Sequence, residues 1–549
     1  MIYDPFDRAQ DRFSIYDRVD WLNCFRGGIV MKINLRIVLF FIVVLLTLSG
    51  VSASAHTDVT AEQAHELIGS TDDLTVIDVR EISEYCDTRG HIPGALNYPW
   101  SSGVLYAQYE ELPIDGPILV VCRSGGRSNQ AATFLDSMGF SMVYDMLGGM
   151  NAWRWETELC VEADIKYGGG TGTQNDPFLI RTAEQMNAIG ASQSDWDKHF
   201  QLRVDIDLSE YADDAYNIIG TGPSNESFRG VFDGNDHKIF NFSLRSTRQQ
   251  YTGLFGYVGG QVKNLGLIKP DVFSQGNYVG ALVGYLGFGT ITSCYAKAAN
   301  VTGDDYVGGL IGSCTGRVYK SCSTGSVVGD WYVGGLIGLI DDGTINTSYS
   351  KAAVSGHRDV GGLAGKTIDE MSVINNCYAT GNVNGGTYVG GFVGQIERGR
   401  AFNCYSAGSV SGDQYVGGFT GYIRVLGSVT HCFWDTQTSG WSTSPGGMGK
   451  TTEEMQIITT FTVEGWDFRN IWTICDEMNY PVLLWQIPAA DFLCPDGVDF
   501  IDFAFFATHW LDDNCDLSNN YCEGTDLDQS GSVNMIDLEI FFENWSAEQ

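Results

Sequence analysis

The chain has 549 residues, 67 acidic and 32 basic, for a formal net charge of −35. That length predicts several folding units, and that charge excludes nucleic acid and anionic membrane surfaces as natural partners. Hydrophobic content of 44% is enough for packed cores, the acidic excess suits a soluble extracellular protein or Ca²⁺, and the 68 glycines point to a repeat.

The apolar run Ile37 to Leu48 follows Lys32 and Arg36 and precedes Ala53-Ser54-Ala55. A charged start, a short apolar core and a small-x-small site predict a signal peptide over 31–55, with residues 1–30 an upstream extension. The run is short for a membrane span, and an uncleaved anchor is the alternative. The rest of the chain is expected outside the cytoplasm, whether secreted, periplasmic or on the cell surface.

Residues 57–160 alternate strands and helices, predicting an α/β domain with a mostly parallel sheet. Thr60-Ala61-Glu62-Gln63 is a capping box. "LTVIDVR" (Leu74 to Arg80) and "PILVVC" (Pro117 to Cys122) read as buried strands. Cys122 ends the second, and a glycine-containing loop and a helix follow in "VVCRSGGRSNQAA". Backbone N–H groups, the helix dipole, Arg123 and Arg127 would all favour a thiolate, the nucleophilic form of cysteine. Gly125 and Gly126 would let the loop curl around the sulfur.

With "VIDVRE" (Val76 to Glu81), "GHIPGALNYP" (Gly90 to Pro99), "CRSGGRS" (Cys122 to Ser128) and "LGGMNAW" (Leu147 to Trp153) in order, this segment resembles the rhodanese family. The resemblance implies that Cys122 attacks the outer sulfur of thiosulfate, or a similar small anionic donor, and becomes a persulfide. Cyanide or a thiol then removes the sulfur, with no cofactor. Arg123, Ser124, Gly125, Gly126, Arg127 and Ser128 would bind substrate, the amides cradling the sulfur and the arginines steering the donor. Asp78 and Arg80 would brace the fold. Four residues separate Cys122 from Arg127, against five in the related C-x₅-R phosphatases, so the loop suits sulfur better than phosphate. Cys86 is a candidate resolving thiol or an incidental cysteine.

Gly168 to Gly172 is a glycine-rich linker, and a second helix starts at Thr182-Ala183-Glu184-Gln185. Residues 165–250 are expected to open a β-repeat domain whose full units span 251–440. The heads, "YVGGLIG" and its variants, begin at Tyr251, Tyr278, Tyr306, Tyr332, Asp359, Tyr388 and Tyr415, with steps of 27, 28, 26, 27, 29 and 27 residues. Glycine-punctuated β pieces at this period predict a β-solenoid, with a β-prism or propeller-like ring as runner-up. Cys294, Cys322, Cys377, Cys404 and Cys432, with Ser348 replacing one cysteine, read as a ladder of small buried side chains. None of them has the paired spacing of a metal site. The repeats resemble the GLUG-motif arrays of bacterial surface and secreted proteins, which implies a scaffold, adhesin or carbohydrate-contacting surface. Asp205, Asp207 and Asp233 fit turn roles. Residues 441–488 are tryptophan-rich, include a capping box at Thr451 to Glu454, and are expected to cap the stack.

Residues 489–549 contain a duplication. "VDFIDFAFFATHWL" (Val498 to Leu511) matches "VNMIDLEIFFENWS" (Val533 to Ser546) at an offset of 35 residues, each half a loop and a short helix. Asp526, Asp528, Ser530, Ser532, Asn534 and Asp537 supply oxygens at positions 1, 3, 5, 7, 9 and 12 of a Ca²⁺ loop, with Gly531 at the sharp turn. This module resembles a dockerin, which implies Ca²⁺ and a cohesin-like or cell-surface partner. In the first half Leu493 and Pro495 stand where ligands belong, leaving Asp491, Asp496, Asp499 and Asp502 to a weak or distorted site. One disulfide is expected among Cys494, Cys515 and Cys522. The whole reads as a multidomain protein: a sulfurtransferase domain on a repeat scaffold with a Ca²⁺-binding tail. The alternative is a non-catalytic surface or polysaccharide-associated scaffold with a vestigial first domain.

Overall fold

A computed structural model of the chain describes residues 56–547 apart from 72, 102, 110–111, 161–165, 248–249, 495–496 and 516–519. The predicted signal peptide and upstream extension, and Pro495 and Asp496, lie outside the described residues.

The first unit is a five-stranded parallel sheet in the order β1-β5-β4-β2-β3. Its elements are β1 (Thr57–Val59), α1 (Ala61–Ser70), β2 (Thr75–Asp78), α2 (Ile82–Tyr85), β3 (Leu96–Asn97), α3 (Val104–Gln108), β4 (Ile118–Val121), α4 (Gly126–Ser137) and β5 (Val143–Met146). Every residue of β4 is buried, as a central parallel strand with both faces covered requires. The capping box at Thr60 forms, Thr60 Oγ1 accepting from the Gln63 N–H and Gln63 Oε1 from the Thr60 N–H, and it starts α1.

From Phe178 to Lys450 the chain coils as a β-solenoid, a continuous parallel sheet of 33 strands, and not as a prism or ring. Equivalent residues of successive rungs stack: Val279, Val307, Val333, Val360, Val389 and Val416 form one column of in-register pairs. Each repeat head sits at a corner in the left-handed region, from Tyr251 (φ 61°) through Asp359 (φ 55°) to Tyr415 (φ 54°). Rings stacked along this column, such as Tyr278 and Tyr306 at 4.6 Å and Tyr306 and Tyr332 at 4.8 Å, repeat at the spacing of neighbouring strands. A Cβ on Gly308, two residues past one head, would meet the Ile311 carbonyl at 2.0 Å, so the turn admits only glycine.

The small-residue ladder exists, with one correction. Cys294, Ser321, Ser348, Cys377, Cys404 and Cys432 share a buried column, each thiol or hydroxyl donating to the carbonyl two residues earlier. Cys322 is not a member. It pairs with Tyr295 and Tyr349 in the adjacent column, where Tyr378, Tyr405 and Phe433 follow. The turn ahead of Arg317 is one residue shorter than the turn ahead of its partner Thr290, so Ser321 arrives first, and a one-residue shift changes the face a side chain occupies.

Residues 441–450 close the end of the stack, where Met448 pairs with Phe433. Residues 461–486 then run back along its flank. Phe461, Trp466, Trp472 and Leu483 bury the Tyr378, Tyr405 and Phe433 column, the Tyr405 hydroxyl donates to the Pro481 carbonyl at 2.7 Å, and Trp485 Nε1 donates to the Thr347 carbonyl at 2.8 Å. In the tail, helices Phe500–Thr508 and Met535–Ala547 bring the duplicated Phe506 and Phe541 together, ring centroids 5.4 Å apart. Cys475–Cys494 ties flank to tail, and Cys515–Cys522 closes a loop within it. Cys494 thus bonds upstream of the tail, outside the expected set. Among the described residues no helix is long and apolar enough to cross a membrane.

Candidate functional site

Cys122 follows the last residue of β4, and α4 begins four residues later, so the sulfur lies below the N-terminus of a twelve-residue helix. The Gly125 N–H donates to Cys122 Sγ at 3.1 Å, and Ser128 Oγ lies 3.4 Å from the sulfur while donating to the Gly125 carbonyl. Gly125 bends the loop in the left-handed region (φ 95°). A second loop locks the first from beneath: the Met150 and Asn151 N–H groups donate to the Cys122 and Arg123 carbonyls at 2.8 and 3.0 Å. Gly149 makes that approach possible, since a Cβ there would lie 2.2 Å from the Cys122 carbonyl oxygen. The motif "LGGMNAW" is therefore the floor of the sulfur loop.

The rim is charged. Arg127 donates twice to Glu84, at 2.5 and 3.0 Å, and Arg123 lies 3.3 Å from the same carboxylate. The Arg127 hydrogen bond is the main cause that holds the Glu84 carboxyl below its ordinary range, and Glu84 in turn raises Arg127. Two cations share the Glu84 anion. The sequence reading missed Glu84, which lies 43 residues from Arg127 in a segment without a motif of its own. Ser124 and Gly126 are exposed and Ser128 is buried. Cys122 is 1% exposed.

Asp78 and Arg80 form a buried pair at 2.7 Å, and Arg80 also donates to the Glu84 and Gly90 carbonyls, joining β2 to the two segments beside the site. Cys86 is not a free thiol: it is bonded to Cys160, which removes it as a resolving cysteine. The other free cysteines among the described residues are buried in the solenoid.

In the tail the carboxylates of Asp526, Asp528 and Asp537 converge within 4.8 Å. Asp526 and Asp537 are 2% and 0% exposed. Backbone N–H groups of Ser530 and Gly531 donate to Asp526, and those of Asp528 and Asn534 to Asp537. The Ser532 carbonyl accepts from Ser530 Oγ and Asn534 Nδ2, and Asn534 Oδ1 accepts from the Ile536 N–H. The first half repeats these backbone bonds, Asp502 accepting from the Phe492, Leu493 and Asp499 N–H groups while Asp499 caps the helix; it differs in its side chains, with Leu493 standing where the second half has Asp528. Asp205, Asp207 and Asp233 accept from turn amides.

Fold and site together define a cysteine-centred α/β domain joined to a parallel β-solenoid. Residues 60–156 match the rhodanese-like domain, and through this domain the chain belongs to the rhodanese family. The GLUG motif matches residues 275–302 and 356–384. A sulfurtransferase of Allochromatium vinosum is 31% identical over 96 residues, 18% of this chain and 86% of that protein. YrkF, a candidate sulfur carrier protein of Bacillus subtilis, is 34% identical over 110 residues, 20% of this chain and 57% of its own. Halomucin of Haloquadratum walsbyi is 29% identical over 372 residues, 61% of this chain but 4% of that protein.

Proposed function

We propose that the chain is an extracytoplasmic sulfurtransferase carried on a repeat scaffold. Cys122 sulfur bonds to the outer sulfur of thiosulfate, the thiosulfate S–S bond breaks, and sulfite leaves with the electron pair. Cyanide or a thiolate then attacks the outer sulfur of the persulfide and carries it off, returning the Cys122 thiolate. The observation that carries this reading is the Gly125 N–H aimed at the sulfur beneath a helix N-terminus, which stabilises the negative charge of a persulfide. Three disulfides among the described residues support an oxidising compartment. The relatives named as sulfur proteins support the chemistry.

The deep burial of the thiol favours one competing reading, a scaffold whose first domain no longer reacts. A thiosulfate–cyanide assay on the full chain separates the two: thiocyanate forms with wild type and falls to the protein-free level in Cys122→Ser. Equal background from both proteins rejects the enzyme. In the tail, Asp526, Asp528, Ser530, Asn534, Asp537 and the Ser532 carbonyl would hold Ca²⁺, since two buried carboxylates beside a third form a hard, oxygen-only donor set. The paired helices support reading this unit as dockerin-like, with a cohesin-like or cell-surface protein as its partner.

A further inference from the structure

Parallel register sets Asp58 of β1 directly opposite Asp145 of β5. Like charges so placed repel. Asp145 is also 1% exposed; the Ser128 and Asn129 side chains approach its carboxylate, but neither oxygen receives a well-formed hydrogen bond among the described residues. A carboxylate so buried stays charged only when it is paired or coordinates a metal.

His56 completes the group. Its Nδ1 lies 2.7 Å from Asp136 Oδ2, and its backbone N–H donates to the same oxygen at 2.9 Å. Asp136 thereby orients the ring and leaves Nε2 with the lone pair. That nitrogen accepts from Asn129 Nδ2 at 3.2 Å and stands 3.8 Å from Asp58 Oδ1. Ligand atoms of His56, Asp58 and Asp145 lie within 4.8 Å of one another. A carboxylate behind the non-ligating nitrogen is the usual support of a metal-bound histidine.

We propose that His56 Nε2, Asp58 and Asp145 bind a divalent transition-metal ion, with Zn²⁺ as the probe. One imidazole and two carboxylates suit such an ion and cancel its charge; the Asn129 amide rotates off Nε2 as it enters. The ion joins β1 to β5 beside Ser128 and Asn129 of α4, the helix whose Ser128 touches the Cys122 sulfur. The site stands independently of any reaction at Cys122.

Calorimetric titration of the full chain with Zn²⁺, in excess Ca²⁺ to occupy the tail, tests this. Wild type and Asp526→Asn each show a Zn²⁺ site that His56→Gln weakens ~10-fold or more, and Zn²⁺ raises the melting temperature only where His56 is present. Asp58→Asn, on a side chain 55% exposed, repeats the loss if His56→Gln does not fold. Co²⁺ at this site shows the weak visible bands of nitrogen and oxygen ligands, not thiolate charge transfer. Equal zinc binding in wild type and these variants, no zinc binding to wild type, or thiolate bands overturns the proposal.

Discussion

Glu84 sets how much positive charge the sulfur loop presents, because it holds both arginines that the sequence assigns to the donor. Its carboxyl is depressed, chiefly by Arg127. The stability this pairing contributes is therefore full above the ordinary carboxylate value and is lost as pH falls through the lowered one. Replacing Glu84 with glutamine leaves both guanidinium groups uncompensated. One charge ~7 Å from an anion in a water-like medium is worth about 0.6 kcal/mol, so the KM for thiosulfate is expected to fall ~3-fold in Glu84→Gln, with kcat changed less. The effect shrinks at high salt. An unchanged or higher KM at low salt would remove the arginines from donor steering. At this scale the place of Cys122 at a strand end and its loop were legible from "CRSGGRS", because loop and helix are contiguous in the chain. The Glu84 clamp and the Cys86–Cys160 bond were not, since each joins residues 43 or 74 positions apart.

Within the solenoid, one rung departs from the rest. Asp359 occupies the corner that six other rungs give to tyrosine, and Lys366 and Arg358 fill the missing ring by lying 5.6 and 5.2 Å from the ring centroids of Tyr332 and Tyr388. The carboxyl is 1% exposed, its Oδ1 has no hydrogen-bond partner among the described residues, and burial pushes its pKa up to about 6. A carboxyl raised in the folded state costs nothing where both states are protonated. The native state loses stability as pH rises from the unfolded value of 3.8 through about 6. The full cost is about 3 kcal/mol. Asp359→Asn is therefore expected to raise the thermal midpoint of the solenoid at pH 8 and to leave it nearly unchanged at pH 4. Equal shifts at both pH values would show that the carboxylate ionises there without penalty.

Across the whole molecule, three units with separate cores share one chain. The tail is the smallest, and its core is the Phe506 and Phe541 contact with Ala490, Val498, Cys515, Cys522 and Val533. Its two buried carboxylates, Asp526 and Asp537, accept backbone N–H groups, and a bound cation would add the opposite charge. Ca²⁺ is expected to raise the melting temperature of this unit with heat of binding in calorimetry, and Asp537→Asn to abolish both while the solenoid transition stays in place. Neither heat nor a shift in wild type would leave the loop as a hydrogen-bonded turn. Reduction should loosen the tail further, because Cys475–Cys494 cross-links it to the solenoid flank.

The amino-acid order alone determined the period of the rungs, the corner residues, the sulfur loop and the spacing of the acidic loop, because each is written within about one turn or one rung of chain. Tertiary structure decided which residues share a column, which anion holds the arginines, which cysteines bond, and that Asp58 faces Asp145. These depend on how far the chain advances between distant contacts. A turn shortened by one residue, as ahead of Arg317, moves Cys322 out of the ladder.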